Sequence, residues 1–201
     1  MFYWFVKAIF FPFVKLYLGL TRDGLDHLPR RGAAIVVSNH VSYMDAILLG
    51  SAAPRPIRFI VLQWMYDLLL LRWFYWGMGT IPVRAGRDAH GLRQAVRTLH
   101  TGKVVGLFPE GSRSEDGRFR ETQPGAALLA ALSGVPVVPV FIDGAADSMP
   151  VGGAVPRPAR VHVRFGPPLR YPEGKSGRDR EALQAFGRRI EEAIRALEPA
   201  A

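Results

Sequence analysis

Short apolar runs rich in branched residues alternate with helix-patterned stretches along most of this chain, and that alternation limits the fold more than any other feature. Residues 33–37, 57–62, 104–108, 135–142 and 161–165 read as strands, with a shorter one at 80–83. Between them, residues 88–100 carry Leu92, Ala95, Val96 and Leu99 at three/four spacing, with Gly102 placed to end the helix. Residues 126–132 read as a buried helix, and Leu183, Phe186, Ile190, Ile194 and Leu197 mark an amphipathic closing helix. The expected class is α/β, a single domain with a mainly parallel or mixed sheet flanked by helices. Residues 23–32 read as a polar connector into the first strand.

The N-terminus has a different character. Residues 2–20 are aromatic and aliphatic throughout, with only Lys7 and Lys15 charged and Pro12 in the middle. As a helix this run reaches ~28 Å, barely a hydrocarbon core, and a span would hold each Lys ~6 Å from the midplane at ~2.5–3.5 kcal/mol apiece. The two Lys stand ~80° apart, one polar edge, so an interfacial helix fits better than a span. Signal-peptide features are missing: no basic residue precedes the run and no small-residue cleavage site follows. Residues 1–22 are therefore expected to associate with a membrane, and 23–201 to form the catalytic domain. A second aromatic and leucine-rich stretch, 64–76, is either a buried helix or an element facing membrane or acyl chain.

Chemistry concentrates in two loops. His40 and Asp45 lie in Asn39-His40-Val41-Ser42-Tyr43-Met44-Asp45, just after the first strand. Five residues put two side chains ~140° apart on a continuous helix. They meet only with His40 in the turn and Asp45 in the first turn of the next helix, at a strand's carboxyl end, where α/β folds place their sites. Ser42-x-x-Asp45 also reads as a capping box, a purely structural role for the aspartate. The second loop is Phe108-Pro109-Glu110-Gly111-Ser112-Arg113-Ser114. Its Gly, Ser and Arg suit a phosphate or a polarised carbonyl; the bland reading is a Pro-Gly turn.

Composition narrows the partners. The 26 Lys and Arg outnumber 17 Asp and Glu for a net charge of +9, and only Lys7, Lys15, Lys103 and Lys175 are lysine. Arginine forks suit phosphate and carboxylate, which points to an anionic substrate or membrane surface. Nucleic acid is not expected: there is no basic run, zinc-ligand spacing or RNA-recognition motif. With no cysteine and five dispersed His, no thiol nucleophile, disulfide or metal site is expected. Gly174-Lys175-Ser176 lacks the first glycine of a P-loop, Gly77-x-Gly79 runs into Pro82, and no G-x-S-x-G elbow occurs. A base without an enzyme nucleophile implies that the substrate supplies one.

These segments, in this order, resemble the glycerolipid acyltransferase family typified by bacterial 1-acylglycerol-3-phosphate acyltransferase, over roughly residues 25–170. Asn39-His40-x-Ser42-x-x-Asp45 matches its first block. The Phe108–Ser114 loop matches the third, with Ser112 where Thr is commoner, and residues 135–140 match the apolar fourth. The second block departs: Ala85 stands at its usual Arg, Arg84 comes one residue early with Arg87 as a spare, and Gln63 replaces a frequent Lys. The resemblance implies transfer of an acyl group from acyl-CoA or acyl carrier protein, without another cofactor, to a lysolipid hydroxyl, most simply that of 1-acylglycerol-3-phosphate. It implies His40 as base, Asp45 as its orienting acid, and Glu110, Gly111, Ser112, Arg113 and Arg84 at the acceptor head group. It also implies a peripheral or monotopic place on the cytoplasmic face of the cell membrane. The displaced second-block charge keeps another lysolipid acceptor open, and a non-catalytic lipid-binding protein or a thioester hydrolase remain alternatives.

Overall fold

The structure, a computed structural model, describes residues 1–86, 88–109, 124–149, 153 and 155–199. In chain order the elements are α1 (Phe2–Tyr17), β1 (Thr21–Asp23), a 3-10 turn (Leu25–His27), β2 (Ala34–Ser38), α2 (Asp45–Ala52), β3 (Ile57–Leu62), α3 (Gln63–Tyr66), α4 (Leu69–Met78) and β4 (Ile81–Val83). Then follow α5 (Ala89–His100), β5 (Val104–Leu107), α6 (Gly125–Ser133), β6 (Val137–Asp143), α7 (Ala145–Ser148), β7 (His162–Phe165) and α8 (Arg180–Arg195).

Among the described residues the strands form one seven-stranded mixed sheet in the order β1-β7-β6-β2-β5-β3-β4. Strands β6, β2, β5, β3 and β4 run parallel, while β7 is antiparallel to β6 and carries β1 beside it. Central β2 is buried at every position: Ala34 and Val36 join the core under α1 and α2, Ile35 and Val37 the core under α5, α6 and α8. Burial on both faces explains why its sequence is a continuous apolar run rather than an alternation. Because five strands point the same way, the residues after β2, β4, β5 and β6 emerge along one edge.

Three expectations change. Residues 64–76 are two short helices, α3 and α4, separated at Asp67 and by the extended Leu68. Gln63 donates to the Asp67 carboxylate at 2.9 Å, closing α3 after one turn. No residue of either helix is buried, so the buried-helix reading of this stretch does not hold. Edge strand β1 was not visible as a strand: Thr21-Arg22-Asp23 is three exposed residues that pair only because β7 offers its free edge. Finally, Lys7 and Lys15 do not share one polar edge. Lys15 is exposed, but Lys7 turns inward and donates to the carbonyl of Ala53.

Candidate active site

The turn after β2 is set by its own hydrogen bonds. Asn39 is buried and acts as a piece of strand: its Oδ1 accepts from Ile142 N–H at 2.8 Å and its Nδ2 donates to the Ile142 carbonyl at 2.9 Å. Those bonds extend the β2–β6 pairing one residue beyond Ser38. The chain then turns, and α2 begins at Asp45.

His40 Nδ1 lies 2.7 Å from Asp45 Oδ2. The same oxygen accepts the backbone N–H of Val41 at 2.8 Å and of Ser42 at 2.9 Å. Half of a capping box is thus present in the same contacts that orient the imidazole, and the two readings of Asp45 coexist. Ser42 departs from the box. Its hydroxyl donates to the Met149 carbonyl at 2.8 Å and accepts from Met44 N–H rather than from Asp45. Asp45 is fully buried, whereas the His40 side chain is 23% exposed. A carboxylate that accepts from Nδ1–H leaves Nε2 as the basic nitrogen.

Phe108, the first residue past β5, stacks on the His40 ring at 4.2 Å between centroids and 18° between planes. Phe59 of β3 stacks on Phe108 in turn, at 5.9 Å. Neither ring was singled out as a support for the histidine in the sequence. The signal was Phe108 at the head of the second loop, but stacking across three strands requires the sheet order.

Glu110, Gly111, Ser112 and Arg113 lie outside the described residues, as does Arg87. Phe108 and Pro109 bring the start of that loop to the edge where His40 sits. Arg84 is exposed one residue beyond β4, in a loop rather than on the strand, so its early position does not turn it to an opposite strand face. Its backbone N–H donates to Asp88 Oδ2 at 2.8 Å, while Asp88 Oδ1 caps α5 through His90 and Gly91. These bonds hold the Asp88 carboxyl below its ordinary value. Two strands, β5 and β3, stand between β4 and β2, an offset of ~14 Å.

Beside the pair, an apolar cavity of about 90 Å³ starts at Ala46 and Ile47 and runs between α1, α2, β3 and α4. Phe10, Phe59, Phe74 and Met78 are among its walls, and Lys7 lines it too. Burial, and secondarily the nearby Arg22, lowers the Lys7 pKa to about 8.

Residues 20–143 match the family model described as Acyltransferase. The chloroplastic 1-acyl-sn-glycerol-3-phosphate acyltransferase LPAT1 of Arabidopsis thaliana is 33% identical over 146 residues, 71% of this chain and 40% of the relative. The 1-acyl-sn-glycerol-3-phosphate acyltransferase of Limnanthes douglasii is 31% identical, over 73% of this chain and 53% of the relative. The chain thus spans about half the length of these curated relatives or less. Among solved structures, the 1-acyl-sn-glycerophosphate (LPA) acyltransferase PlsC of Thermotoga maritima superposes with a TM-score of 0.78 at 26% identity, covering 99% of this chain and 81% of that one.

Proposed function

We propose that this chain, which belongs to the acyltransferase family, moves a fatty acyl group from an acyl thioester to the free hydroxyl of 1-acylglycerol-3-phosphate, a step of phospholipid biosynthesis. The observation that carries the reading is the hydrogen bond between His40 and a buried, triply bonded Asp45 at the carboxyl edge of the sheet.

His40 Nε2 takes the proton of the acceptor hydroxyl as that oxygen attacks the thioester carbonyl carbon. The tetrahedral intermediate collapses with cleavage of the C–S bond, and the imidazolium returns the proton to the departing sulfur. Asp45 keeps Nδ1 protonated and stabilises the imidazolium between the two steps. No covalent enzyme intermediate forms. The donor is acyl-CoA or acyl carrier protein. Arg113, Gly111 and Ser112 hold the acceptor's phosphate, Glu110 organises their loop, and Arg84 adds charge from the loop after β4. The apolar cavity beside Ala46 receives part of an acyl chain. No described helix is long and apolar enough to cross a membrane. Helix α1 instead lies in the interface, with Trp4, Phe5, Ile9 and Phe13 exposed and Val14 and Leu18 buried against the domain. That arrangement suits a peripheral or monotopic enzyme on the cytoplasmic face of the cell membrane.

The test is to incubate purified protein with labelled acyl-CoA, or acyl carrier protein, and a panel of lysolipids. Labelled phosphatidic acid is expected, and His40→Ala should make none while keeping the wild-type Tm. Free fatty acid formed without an acceptor would instead identify a thioester hydrolase, and undiminished turnover in His40→Ala would refute the base.

A further inference from the structure

All four tryptophans of the chain are in α1, α3 and α4, and all four are exposed: Trp4 at 51%, Trp64 at 63%, Trp73 at 62% and Trp76 at 76%. None serves either core. Buried tryptophan is the ordinary way a domain uses so large an apolar side chain, and its commonest alternative setting is the boundary between hydrocarbon and water.

Helix α4 has two apolar faces. Phe74, Tyr75 and Met78 line the cavity. On the opposite side Leu69, Trp73 and Trp76 fall within an arc of ~60°, with Leu70 another ~60° away. Leu69 and Leu70 are 84% and 83% exposed. Arg72 is the one charged residue of the helix, and no acidic residue interrupts it. The helix is joined to α1: Phe2 packs edge-on against Trp73 and Phe74, and its ring lies where a Cβ on Gly77 would stand. The outward face of α4 is therefore held at a set angle to α1 by the α1–α4 contact.

We propose that α3 and α4 form a second membrane-inserting arm, which together with α1 seats the protein on an anionic bilayer with Trp64, Trp73 and Trp76 at head-group level. The inference rests on the interfacial reading of α1 given above and extends it to a part of the chain 50 residues away in sequence. Three features select a bilayer as the occupant. The exposed face is tryptophan-rich, the chain carries a net charge of +9, and α1 and α4 both wall the cavity beside the catalytic pair. A lipid substrate resident in the bilayer would meet that cavity between the two arms.

The experiment uses the full chain with three of its four tryptophans changed to phenylalanine, leaving Trp4 or Trp73 as the sole reporter. The probe is vesicles of phosphatidylglycerol and phosphatidylethanolamine, with and without bromine on the acyl chains. Blue-shifted emission and bromine quenching are expected for both reporters. Quenching of Trp4 alone overturns the second arm and leaves α1 standing; quenching of Trp73 alone supports the arm and removes α1. Silence from both overturns both. In the wild-type tryptophan background, Leu69→Ser with Leu70→Ser should weaken vesicle cosedimentation at least tenfold; cosedimentation within twofold of wild type overturns the arm. If the blue shift instead appears without vesicles as protein concentration rises, with a doubled mass in sedimentation, the face binds a second copy and the bilayer proposal fails.

Discussion

Replacing Asp45 by asparagine separates orientation from charge at the base. In most histidine–aspartate pairs the amide can turn its NH2 toward the imidazole and trap the wrong tautomer, costing about 10⁴ in kcat. Here two backbone N–H groups, from Val41 and Ser42, point at the oxygen that His40 also uses. An asparagine must present its carbonyl oxygen to them, so Nδ1–H keeps its acceptor and Nε2 stays basic. What remains to be lost is charge. With Nδ1 and Oδ2 2.7 Å apart, the centres of an imidazolium and a carboxylate lie about 4 Å from each other, and their attraction at an effective dielectric of 20 is ~4 kcal/mol. Between half and all of it is felt as the proton transfers, which predicts a fall in kcat of roughly 30- to 1,000-fold. The new amide nitrogen would occupy the site of Oδ1, a buried atom with no hydrogen-bond partner among the described residues. An unmet donor there should cost about 1–3 kcal/mol of stability. The assay is kcat at saturating donor and acceptor, beside a urea titration of each protein. A loss of threefold or less would refute the electrostatic role of Asp45. A loss near 10⁴ or beyond would refute the claim that the backbone enforces the tautomer.

Gly106→Ala would push a Cβ to 2.5 Å from Ile57 Cγ2 and 2.8 Å from the Phe59 ring. Because Phe59 supports Phe108 and Phe108 supports His40, stability should fall by about 1–3 kcal/mol and kcat should drop with it; unchanged kcat would show that the ring stack does not position the base. Asn39→Ala strips the side-chain partners from both backbone groups of Ile142. It should cost about 2–4 kcal/mol, read as a lower Tm. For Lys7 the folded pKa of about 8 is below its ordinary 10.5. Between those values the unfolded chain binds more protons, so this residue's contribution raises stability as pH climbs from 8 to 10.5. That rise should be missing from the Tm profile of Lys7→Met.

The contact between His40 and Asp45 was legible because it depends on local geometry. A turn and one helical start bring residues 40 and 45 together whatever the rest of the fold does, and the strand before them announces itself by an uninterrupted apolar run. The backbone bonds to Asp45 follow from the same few residues. The supports of the histidine were not legible. Phe108 lies 68 positions from His40, and Phe59 reaches it only through the adjacency of β3 and β5. Arg84 is similar: a strand position would have turned its side chain, but β4 stops at Val83 and leaves it in a loop.

The chain alone determined its alternation of strands and helices, its α/β class and the dyad, since each is written in spacing over fewer than a dozen residues. Tertiary structure decided which apolar surface stays uncovered. Helix α4 and the core helix α6 are both rich in apolar residues, yet α6 is packed under α5 and α8 while α4 leaves Leu69, Leu70, Trp73 and Trp76 exposed. It also decided that Lys7 faces a carbonyl rather than water. Burial depends on what arrives from distant parts of the chain, and hydrophobic patterning specifies only that a face is apolar, not whether protein or another medium will cover it.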